Sequence, residues 1–293
     1  MADRILVPHP EACARIVENK RVKDNNLLRN SNKTKIRQCG VSANIRFVVP
    51  NLKIVGGRPA ARGRWPWQVA IFNEKQDVYC GGTLIAPKWV LTAAHCFRTT
   101  MYVRIGEHDL NHYEGTETDI KVSKVVVHPS YNRKTVDADI ALLLLSRSVG
   151  AESKGSQTSV LGIACLPHHR QQVPVKQLCV TTGWGKSDFD DLHGTDVLHE
   201  VQVSILSSEM CQNVHLHYLI TDNMFCAGNK RRPADSCTGD SGGPLLCKNR
   251  QGRWTVFGIT SFGDGCGTRG KFGIYVKVAK FAKWIHSIMS RYG

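Results

Sequence analysis

Residues 239–244 read Gly-Asp-Ser-Gly-Gly-Pro, which places Ser241 in a loop with almost no side-chain bulk around it. A serine hydroxyl is a weak nucleophile near neutral pH unless a neighbouring base takes its proton. The glycines leave room for backbone N–H groups, here those of Gly239 and Ser241, to point at an oxyanion. On its own the string is also typical of an ordinary turn, so its meaning depends on the partners that the rest of the chain supplies.

Two earlier segments contain the partners that such a serine requires. Residues 92–96 read Thr-Ala-Ala-His-Cys and contain His95, and residues 137–142 place Asp139 at the mouth of an apolar strand. An imidazole can take the serine proton, while a carboxylate fixes the imidazole tautomer and stabilises the imidazolium. A lone histidine or aspartate is more often structural, but together the three segments contain what acyl transfer needs.

Short apolar and β-branched runs separated by turn residues fill the chain from Ile54 onward. Many short strands at regular spacing are typical of an all-β sandwich or of a pair of barrels. Apolar residues from Val278 to Met289 recur every three or four positions, which predicts an amphipathic α-helix packed on the body of the domain. The predicted strands include residues 68–72, 83–85, 122–127, 197–205 and 255–260.

The composition changes near residue 53. Residues 1–53 carry 11 basic and 4 acidic side chains, so they hold +7 of the formal net charge of +15. Residues 15–37 show no helix or strand period, and we predict a flexible segment there. This segment contains Asn32-Lys33-Thr34, an N-glycosylation acceptor in a secreted protein. We therefore predict a basic segment over 1–53, itself truncated, and a globular domain over 54–293.

The 11 cysteines are spread along the chain rather than grouped in CxxC pairs. This favours disulfides over a zinc site and indicates an oxidising compartment, so we expect a secreted, extracellular protein. The first 20 residues lack the apolar core of a signal peptide. We therefore expect that the true N-terminus is missing or that the chain is a fragment. No apolar run approaches the roughly 20 residues of a membrane helix, which predicts no membrane span.

In their order and flanking residues, the three segments resemble the trypsin-like (chymotrypsin-family) serine proteases. The resemblance implies two packed six-stranded antiparallel β-barrels with a C-terminal α-helix, and an active site in the cleft between the barrels. It also implies that His95 is the general base, Asp139 its orienting group and Ser241 the nucleophile, with the N–H groups of Gly239 and Ser241 as oxyanion hole. The matching text runs from Ile54 to about Ser290 and includes Ile-Val-Gly-Gly at 54–57, Trp-Pro-Trp-Gln-Val at 65–69, Gly-Trp-Gly at 183–185 and Ser-Phe-Gly at 261–263.

The same resemblance implies five disulfides and leaves Cys13 without an assigned partner, because the number of cysteines is odd. One pair, Cys39 with Cys165, would tie the segment before Ile54 to the domain that follows it. The other implied pairs are Cys80 with Cys96, Cys179 with Cys247, Cys211 with Cys226, and Cys237 with Cys266.

Lys53 and Ile54 form the junction at which the resemblance implies activation by cleavage. An activating protease that cuts after basic residues would free the ammonium group of Ile54. In the family this charge turns inward and pairs with the carboxylate before the nucleophile, here Asp240. Because an unpaired buried carboxylate is costly, the new cation can order the substrate pocket. The segment 1–53 would stay attached as a light chain; the alternative is that Lys53 merely ends a linker.

Asp235 lies six residues before Ser241, and the resemblance makes this position the floor of the primary specificity pocket. A carboxylate in a narrow pocket prefers Arg or Lys, and Ser236 beside it would help to bind Lys. The alternative is a solvent-facing Asp235. The resemblance assigns the pocket walls and the neighbouring substrate-binding segment to Ser261, Phe262, Gly263 and Gly273.

Residues 106–117 carry four carboxylates, a density of hard oxygen ligands that suits Ca²⁺. The spacing matches the calcium loop of trypsin, which implies a structural Ca²⁺ site and no cofactor for catalysis. The alternative is a solvated acidic loop. The implied ligands are the side chains of Glu107, Glu114 and Glu117 and the backbone carbonyls of Asp109 and His112.

We therefore predict a secreted serine endopeptidase that cleaves after Arg or Lys, is made as a zymogen and acts in a regulated extracellular cascade. Its expected partners are protein substrates, an activating protease and protein inhibitors, and we expect a monomer with a disulfide-linked light chain. Two alternatives remain, namely a catalytically silent homologue that acts as a binding protein and a polyanion-binding protein. No aromatic residues interleave with the early basic run, so nucleic acid is not an expected partner.

Overall fold

The computed structural model describes residues 38–42, 57–150, 162–185, 194–229, 240–263 and 272–293. All of them belong to one unit that spans residues 35–293. Within the described residues the fold is mostly β, with two α-helices and one 3-10 turn.

The first half of the domain is a closed antiparallel barrel of six strands. The order around the barrel is β2-β3-β4-β7-β6-β5, and β5 pairs with β2 to close it. The strands are β2 (Gln68–Phe72), β3 (Val78–Ala86), β4 (Trp89–Thr92), β5 (Tyr102–Ile105), β6 (Thr118–Val127) and β7 (Ala141–Leu145).

The second half is also a six-stranded antiparallel barrel, with the order β9-β10-β13-β12-β11-β8 and closure by pairing of β8 with β9. A short strand β1 (Arg58–Pro59) adds to the edge of β9. The two predicted barrels are therefore confirmed. The strands are β8 (Leu178–Gly183), β9 (His199–Ile205), β10 (Met224–Gly228), β11 (Pro244–Lys248), β12 (Trp254–Phe262) and β13 (Gly273–Lys277).

Apolar side chains fill both barrels, because closure turns one face of every strand inward. Leu84, Leu91 and Ile120 in the first barrel are almost wholly removed from water, as are Val203 and Tyr275 in the second. Each such aliphatic side chain contributes about 1.5–3 kcal/mol relative to exposure. The apolar runs that predicted strands at 68–72, 122–127 and 255–260 all fall within strands of the two barrels.

Two α-helices complete the described part of the domain, namely α1 (Ser208–Val214) and α2 (Val278–Tyr292). Helix α2 is the C-terminal helix that the apolar periodicity predicts, and its buried side chains include Val278, Phe281 and Ile285. The imidazole of His128 at the end of β6 packs edge-on against Phe281 at 4.9 Å between ring centroids. The helix is thereby fixed to the first barrel. Neither helix in the described part of the chain has the length and apolarity to span a membrane.

Four disulfides are present among the described residues, and each joins a pair that the resemblance implies. One of them joins Cys39 to Cys165 and so holds the short described segment 38–42 on the domain. The same segment bonds by backbone to its neighbours, with Gly40 N donating to Ile163 O at 2.7 Å. Cys13, Cys237 and Cys266 lie outside the described residues. The other three bonds are Cys80 to Cys96, Cys179 to Cys247 and Cys211 to Cys226.

Candidate active site

His95 and Asp139 meet at the edge of the first barrel. His95 lies in the 3-10 turn Ala94–Cys96 that follows β4, and Asp139 lies just before β7. His95 Nδ1 is 2.7 Å from Asp139 Oδ2, and the His95 backbone N donates to Asp139 Oδ1 at 2.9 Å. Asp139 is wholly buried while 30% of the His95 side chain is exposed, so the ring is anchored in the interior at Nδ1. Its Nε2 lies 3.8 Å from Cys96 Sγ.

A third group, Ser261 on β12, also bonds to Asp139. Its hydroxyl donates to Asp139 Oδ2, so this buried carboxylate accepts hydrogen bonds from both barrels. A buried carboxylate needs such partners, since an unsatisfied charge in the interior is costly. From the sequence, Ser261 was predicted to lie in the substrate-binding segment; nothing there indicated this bond, because the two residues are 122 positions apart.

Asp137, two residues before Asp139, ties the loop that carries Asp139 to the second barrel. Its carboxylate accepts hydrogen bonds from Thr221 Oγ1 at 2.5 Å and from Asn223 Nδ2 at 3.0 Å. Between the two aspartates, Ala138 has a φ of 51° and is buried. This left-handed conformation is unusual for alanine and occurs where both flanking carboxylates are fixed. Nothing in the sequence indicated Thr221 or Asn223 as part of the site.

The loop of Ser241 docks on the strand and turn that carry the histidine. Gly81 N on β3 donates to Ser241 O at 2.7 Å, and Cys96 Sγ lies 3.7 Å from the same oxygen. Gly242 has a φ of 80°, and a Cβ there would lie 2.2 Å from Thr92 Oγ1. Only glycine allows this close approach, which brings the serine loop against the His95 turn.

Asp240 lies in a pocket lined by glycine. Its Oδ1 accepts a hydrogen bond from Gly185 N at 2.9 Å. A Cβ on Gly183 would lie 1.9 Å from the same oxygen, so the Gly-Trp-Gly segment leaves the space that this carboxylate fills. The predicted activation residues Lys53 and Ile54 lie outside the described residues.

Of the residues predicted to form the specificity pocket, the two wall positions are among the described residues. A Cβ on Gly263 would lie 3.8 Å from Gly273 Cα, so the two predicted wall glycines are adjacent. The ring centroid of Phe262 lies 5.5 Å from that of Tyr218, a residue that nothing in the sequence indicated as part of the site. Asp235, Ser236 and the predicted oxyanion-hole residue Gly239 lie outside the described residues.

A cavity of about 510 Å³ opens beside the histidine turn. Arg98 lines it and donates through Nη1 to His95 O at 3.2 Å, and its guanidinium lies 5.1 Å from the ring of Tyr79. Burial raises the pKa of Tyr79 to about 12, although the charge of Arg98 acts in the opposite direction. This cavity was not predicted from sequence, because Tyr79 and Arg98 lie on separate segments that only the fold brings together.

Two carboxylates of the acidic loop 106–117 form ion pairs with arginines. Arg104 Nη1 lies 3.3 Å from Glu107 Oε2, and Arg62 Nη2 lies 2.6 Å from Glu114 Oε1. Glu114 N also donates to Glu117 Oε1 at 2.7 Å. The structure therefore brings Glu114 and Glu117 together, whereas Glu107 pairs with Arg104.

Two carboxylate oxygens of this loop are buried without a hydrogen-bond partner, namely Glu114 Oε2 and Glu117 Oε2. Burial raises the pKa of Glu107, with Glu117 adding to the effect. Such unsatisfied oxygens fit a hard cation. In the described residues no three carboxylates of the loop bring ligand atoms within 4.8 Å of one another, so a cation would have to draw the loop inward.

The two predicted carbonyl ligands are held by a turn inside the loop. His112 N donates to Asp109 O at 3.0 Å, and His112 Nδ1 lies 2.8 Å from Asp109 Oδ2. The side chains of these two residues are therefore paired with each other.

One family model and several known proteins are similar to this chain. The family model described as Trypsin matches residues 54–285. Vitamin K-dependent protein C of Oryctolagus cuniculus is 38% identical over 245 residues, which cover 80% of this chain and 52% of the relative. Atrial natriuretic peptide-converting enzyme of Homo sapiens is 39% identical over 246 residues, which cover 80% and 22%. Ovochymase of Halocynthia roretzi is 35% identical over 260 residues, which cover 86% and 16%. The chain thus spans about half of the length of these relatives or less.

Proposed function

Because the chain belongs to the trypsin family of serine proteases, we propose that it is a secreted serine endopeptidase that cleaves protein substrates after Arg or Lys. The observation that carries this proposal is the anchored imidazole: His95 Nδ1 lies 2.7 Å from a wholly buried Asp139. This pair has the geometry that a general base needs, since the carboxylate fixes the tautomer in which Nε2 can accept a proton.

Catalysis proceeds through an acyl-enzyme on Ser241. Its Oγ bonds to the scissile carbonyl carbon while its proton moves to His95 Nε2. The C–N bond then breaks, and the leaving amine takes that proton from His95. A water molecule repeats the sequence with His95 as base, which releases the acid product and restores the Ser241 hydroxyl. Asp139 accepts the hydrogen bond of His95 Nδ1 throughout and stabilises the imidazolium, with Ser261 fixing the orientation of its carboxylate.

The oxyanion that forms in each half-reaction would accept hydrogen bonds from the backbone N–H groups of Gly239 and Ser241. On the leaving-group side, the cavity beside Arg98 and Tyr79 lies next to the histidine that protonates the amine. We assign this cavity to the substrate residues that follow the scissile bond.

Substrate preference rests on Asp235 at the floor of the pocket, with Ser236 beside it. A buried carboxylate binds the cationic end of Arg or Lys and rejects neutral side chains, which leave its charge unpaired. The adjacent wall glycines, Gly263 and Gly273, support this assignment because they leave room for a long side chain.

Activation is assigned to cleavage after Lys53. The new ammonium group of Ile54 would pair with Asp240, whose carboxylate sits in a glycine-lined pocket one residue before the nucleophile. The bond between Cys39 and Cys165 would keep the cleaved segment attached as a light chain. A retained light chain favours a regulated extracellular cascade, with protein inhibitors as further partners, over digestion. The protease would act as a monomer.

Asp240→Asn is expected to lower kcat/KM of the cleaved chain by about 10²-fold or more, since removing one partner of a buried ion pair costs about 3–5 kcal/mol. Peptide hydrolysis measured after complete cleavage at Lys53 checks this. Asp196→Asn, at an exposed position, is the matched control and should leave activity unchanged. Equal activity of Asp240→Asn and the parent chain would contradict the activation scheme.

A structural Ca²⁺ is assigned to the acidic loop, held by the side chains of Glu107, Glu114 and Glu117 and by the carbonyls of Asp109 and His112. The ion would neutralise the loop and take no part in proton transfer. Adding Ca²⁺ is expected to raise Tm by about 5 °C, because saturation of one site adds about 2.7 kcal/mol at 100 times Kd.

Calorimetry in EDTA and in CaCl₂ measures this shift. Glu117→Gln should abolish it, whereas Glu74→Gln, which changes an exposed carboxylate outside the loop, should retain it. A Tm that does not respond to Ca²⁺, or an equal response in Glu117→Gln, would refute the site.

Hydrolysis of matched Arg, Lys and Phe reporter peptides tests the function as a whole. We expect activity only after cleavage at Lys53, with a preference for Arg and Lys, and none in Ser241→Ala. Equal hydrolysis of the Phe peptide would overturn the assigned specificity, and activity before cleavage would overturn the zymogen assignment.

A further inference from the structure

A buried carboxylate on the second barrel takes no part in the site described above. Glu200 on β9 is only 5% exposed. Its Oε1 lies 2.6 Å from Arg58 Nη2 and accepts a hydrogen bond from Arg58 Nε at 2.7 Å. Its Oε2 lies 2.8 Å from Arg64 Nε and accepts a hydrogen bond from Trp65 Nε1 at 2.8 Å. These four residues, Glu200, Arg58, Arg64 and Trp65, are called the carboxylate clamp below.

All three partners of Glu200 come from one short stretch, which begins just after the predicted activation junction. Arg58, Arg64 and Trp65 are four, ten and eleven residues beyond Ile54. By backbone, this stretch pairs with β9 through β1, a strand of two residues in which Arg58 lies opposite Glu200. Most strands have about 3–10 residues, so β1 offers few backbone bonds. The clamp adds side-chain contacts at the same residue.

Strand β9 separates this stretch from the pocket of Asp240. On one edge of β9, Pro59 of β1 pairs with His199, and on the other edge His199 pairs with Gly183 of β8. Gly183 is one of the glycines that leave space for the Asp240 carboxylate. One row of paired residues therefore leads from the start of the activation segment to the group that its new terminus must reach.

The distance available to the new terminus is short. The chain from Ile54 to Arg58 covers four residues, which span at most about 14 Å when fully extended. Strands β1 and β8 are two strand spacings apart, which is about 10 Å, and the Asp240 pocket lies at β8. The tether has little slack, so a small outward shift of Arg58 would take the terminus out of reach of Asp240.

The described segment that precedes the activation junction also braces the clamp. Ser42 Oγ donates a hydrogen bond to Arg64 O at 2.6 Å. The ring of Trp65 packs edge-on against that of Trp254 at 4.9 Å between centroids, and Trp254 N donates to Gly40 O at 2.9 Å. Two members of the clamp are thus held by the disulfide-linked segment and by β12. The carboxylate transmits this fixation to β1.

We propose that Glu200 is a positioning residue for activation, which holds Arg58 so that the ammonium group freed at Ile54 pairs with Asp240. The inference rests on the proposed activation by cleavage after Lys53. Without the clamp, the cleaved chain would more often adopt conformations in which the terminus is not inserted, and the active population would fall. Glu200 acts through the terminus and does not touch substrate.

The first test measures how kcat/KM of the fully cleaved chain for an Arg peptide depends on pH. The ammonium group must be protonated to pair with Asp240, so activity is present at lower pH and is lost as pH rises through the raised pKa of the inserted terminus. Weaker insertion moves this pKa towards the value of about 7.7–8.0 for a free α-amino group. The loss of activity at high pH should therefore occur at lower pH when the clamp is weakened.

Two variants weaken the clamp to different extents. Glu200→Gln removes the charge that holds all three partners, and its alkaline loss of activity should move down by about one pH unit, which corresponds to about tenfold weaker insertion. Arg58→Gln changes a side chain that is 40% exposed and leaves the other two partners in place. Its alkaline loss should move down by about half a unit. If Glu200→Gln does not fold, Arg58→Gln alone decides.

A second measurement does not depend on catalysis. Cyanate carbamylates a free α-amino group, and peptide mass mapping follows the reaction at Ile54 of the cleaved chain in the Ser241→Ala background. An inserted terminus reacts slowly because it is removed from solvent. Reaction at Ile54 should be about tenfold faster with Glu200→Gln and about threefold faster with Arg58→Gln.

Val203→Ala separates positioning from stability. Val203 lies on the same strand as Glu200 and is wholly buried, with no contact to the clamp among its sheet and core partners. Its truncation leaves a cavity and lowers Tm. The pH profile and the cyanate reaction should nevertheless stay at the values of the parent chain.

Parent values of both readouts in Glu200→Gln and Arg58→Gln would overturn the proposal and leave the protease assignment intact. Shifts in Val203→Ala as large as those in Glu200→Gln, at a similar loss of Tm, would overturn it in favour of a general effect on stability. Rapid carbamylation of Ile54 in the cleaved parent chain would overturn insertion itself, and with it the activation scheme. The variants would then all react at the same rate, which distinguishes this outcome from the first.

Discussion

Ser241→Ala is expected to lower kcat about 10⁶-fold and Asp139→Asn about 10⁴-fold, the losses known when such groups are removed from other Ser-His-Asp proteases. The two losses have different origins. Without Ser241 no acyl-enzyme can form. In the Asp139→Asn variant the new amide donates a hydrogen bond to His95 Nδ1 and forces the wrong tautomer, although the geometry around the 2.7 Å contact between the two side chains is kept.

The double variant at Ser241 and Asp139 tests this account more sharply than either single variant. Because the three groups act as a unit, the double variant should lose no more activity than Ser241→Ala alone. Steady-state kinetics with an Arg peptide measure kcat and KM, and KM should change little. Ser130→Ala, at an exposed position outside the site, is the control. A fall of only a few-fold in Asp139→Asn would contradict the role given to this carboxylate.

Asp235→Ser is expected to lower kcat/KM for an Arg peptide by about 10⁴-fold, since a site built around a buried polar contact discriminates by about 10⁴–10⁵. The same change should raise kcat/KM for the Phe peptide, because its side chain no longer leaves a buried charge unpaired. The preference for Arg over Phe should therefore collapse or reverse.

The ratio of the two kcat/KM values, taken on fully cleaved protein, measures this. Asp196→Asn provides a matched loss of one exposed carboxylate and should keep the ratio of the parent chain. Retention of the Arg preference in Asp235→Ser would mean that another group binds the cation and would refute the pocket assignment.

The architecture could be predicted because its signals are local. Short apolar runs bounded by turns indicate strands whatever lies elsewhere in the chain, and the run at 68–72 coincides with β2. The recurrence of apolar residues every three or four positions from Val278 likewise predicts α2. The pairing of strands into two barrels came from the resemblance to the trypsin family, which the comparisons confirm, and not from the runs themselves.

The supporting contacts of the site could not be predicted, since they join residues far apart in sequence. Ser261 bonds to Asp139 across 122 positions, and Asp137 bonds to Thr221 across 84. Neither serine nor threonine carries a sequence signal for such a role, because their hydroxyls are equally common in turns and on strand surfaces. Only closure of both barrels shows which hydroxyl reaches which carboxylate.

The positions of the charged side chains on the surface could likewise be predicted only in part. The sequence placed the excess of basic residues at the N-terminus, where 1–53 hold +7. The exposed cations of α2, namely Lys280, Lys283 and Arg291, are inconspicuous in the sequence. They come to lie on one side of the helix only because its apolar face is buried.

Pre-steady-state acylation tests the central claim most directly. The chain is cleaved at Lys53, a new Ile54 terminus and intact disulfides are verified, and an Arg ester with a chromogenic leaving group is mixed in excess. We predict a burst of one leaving group per chain and a mass increase of one acyl group on Ser241. A verified, cleaved chain that shows no burst, or that is acylated at another residue, would contradict the account.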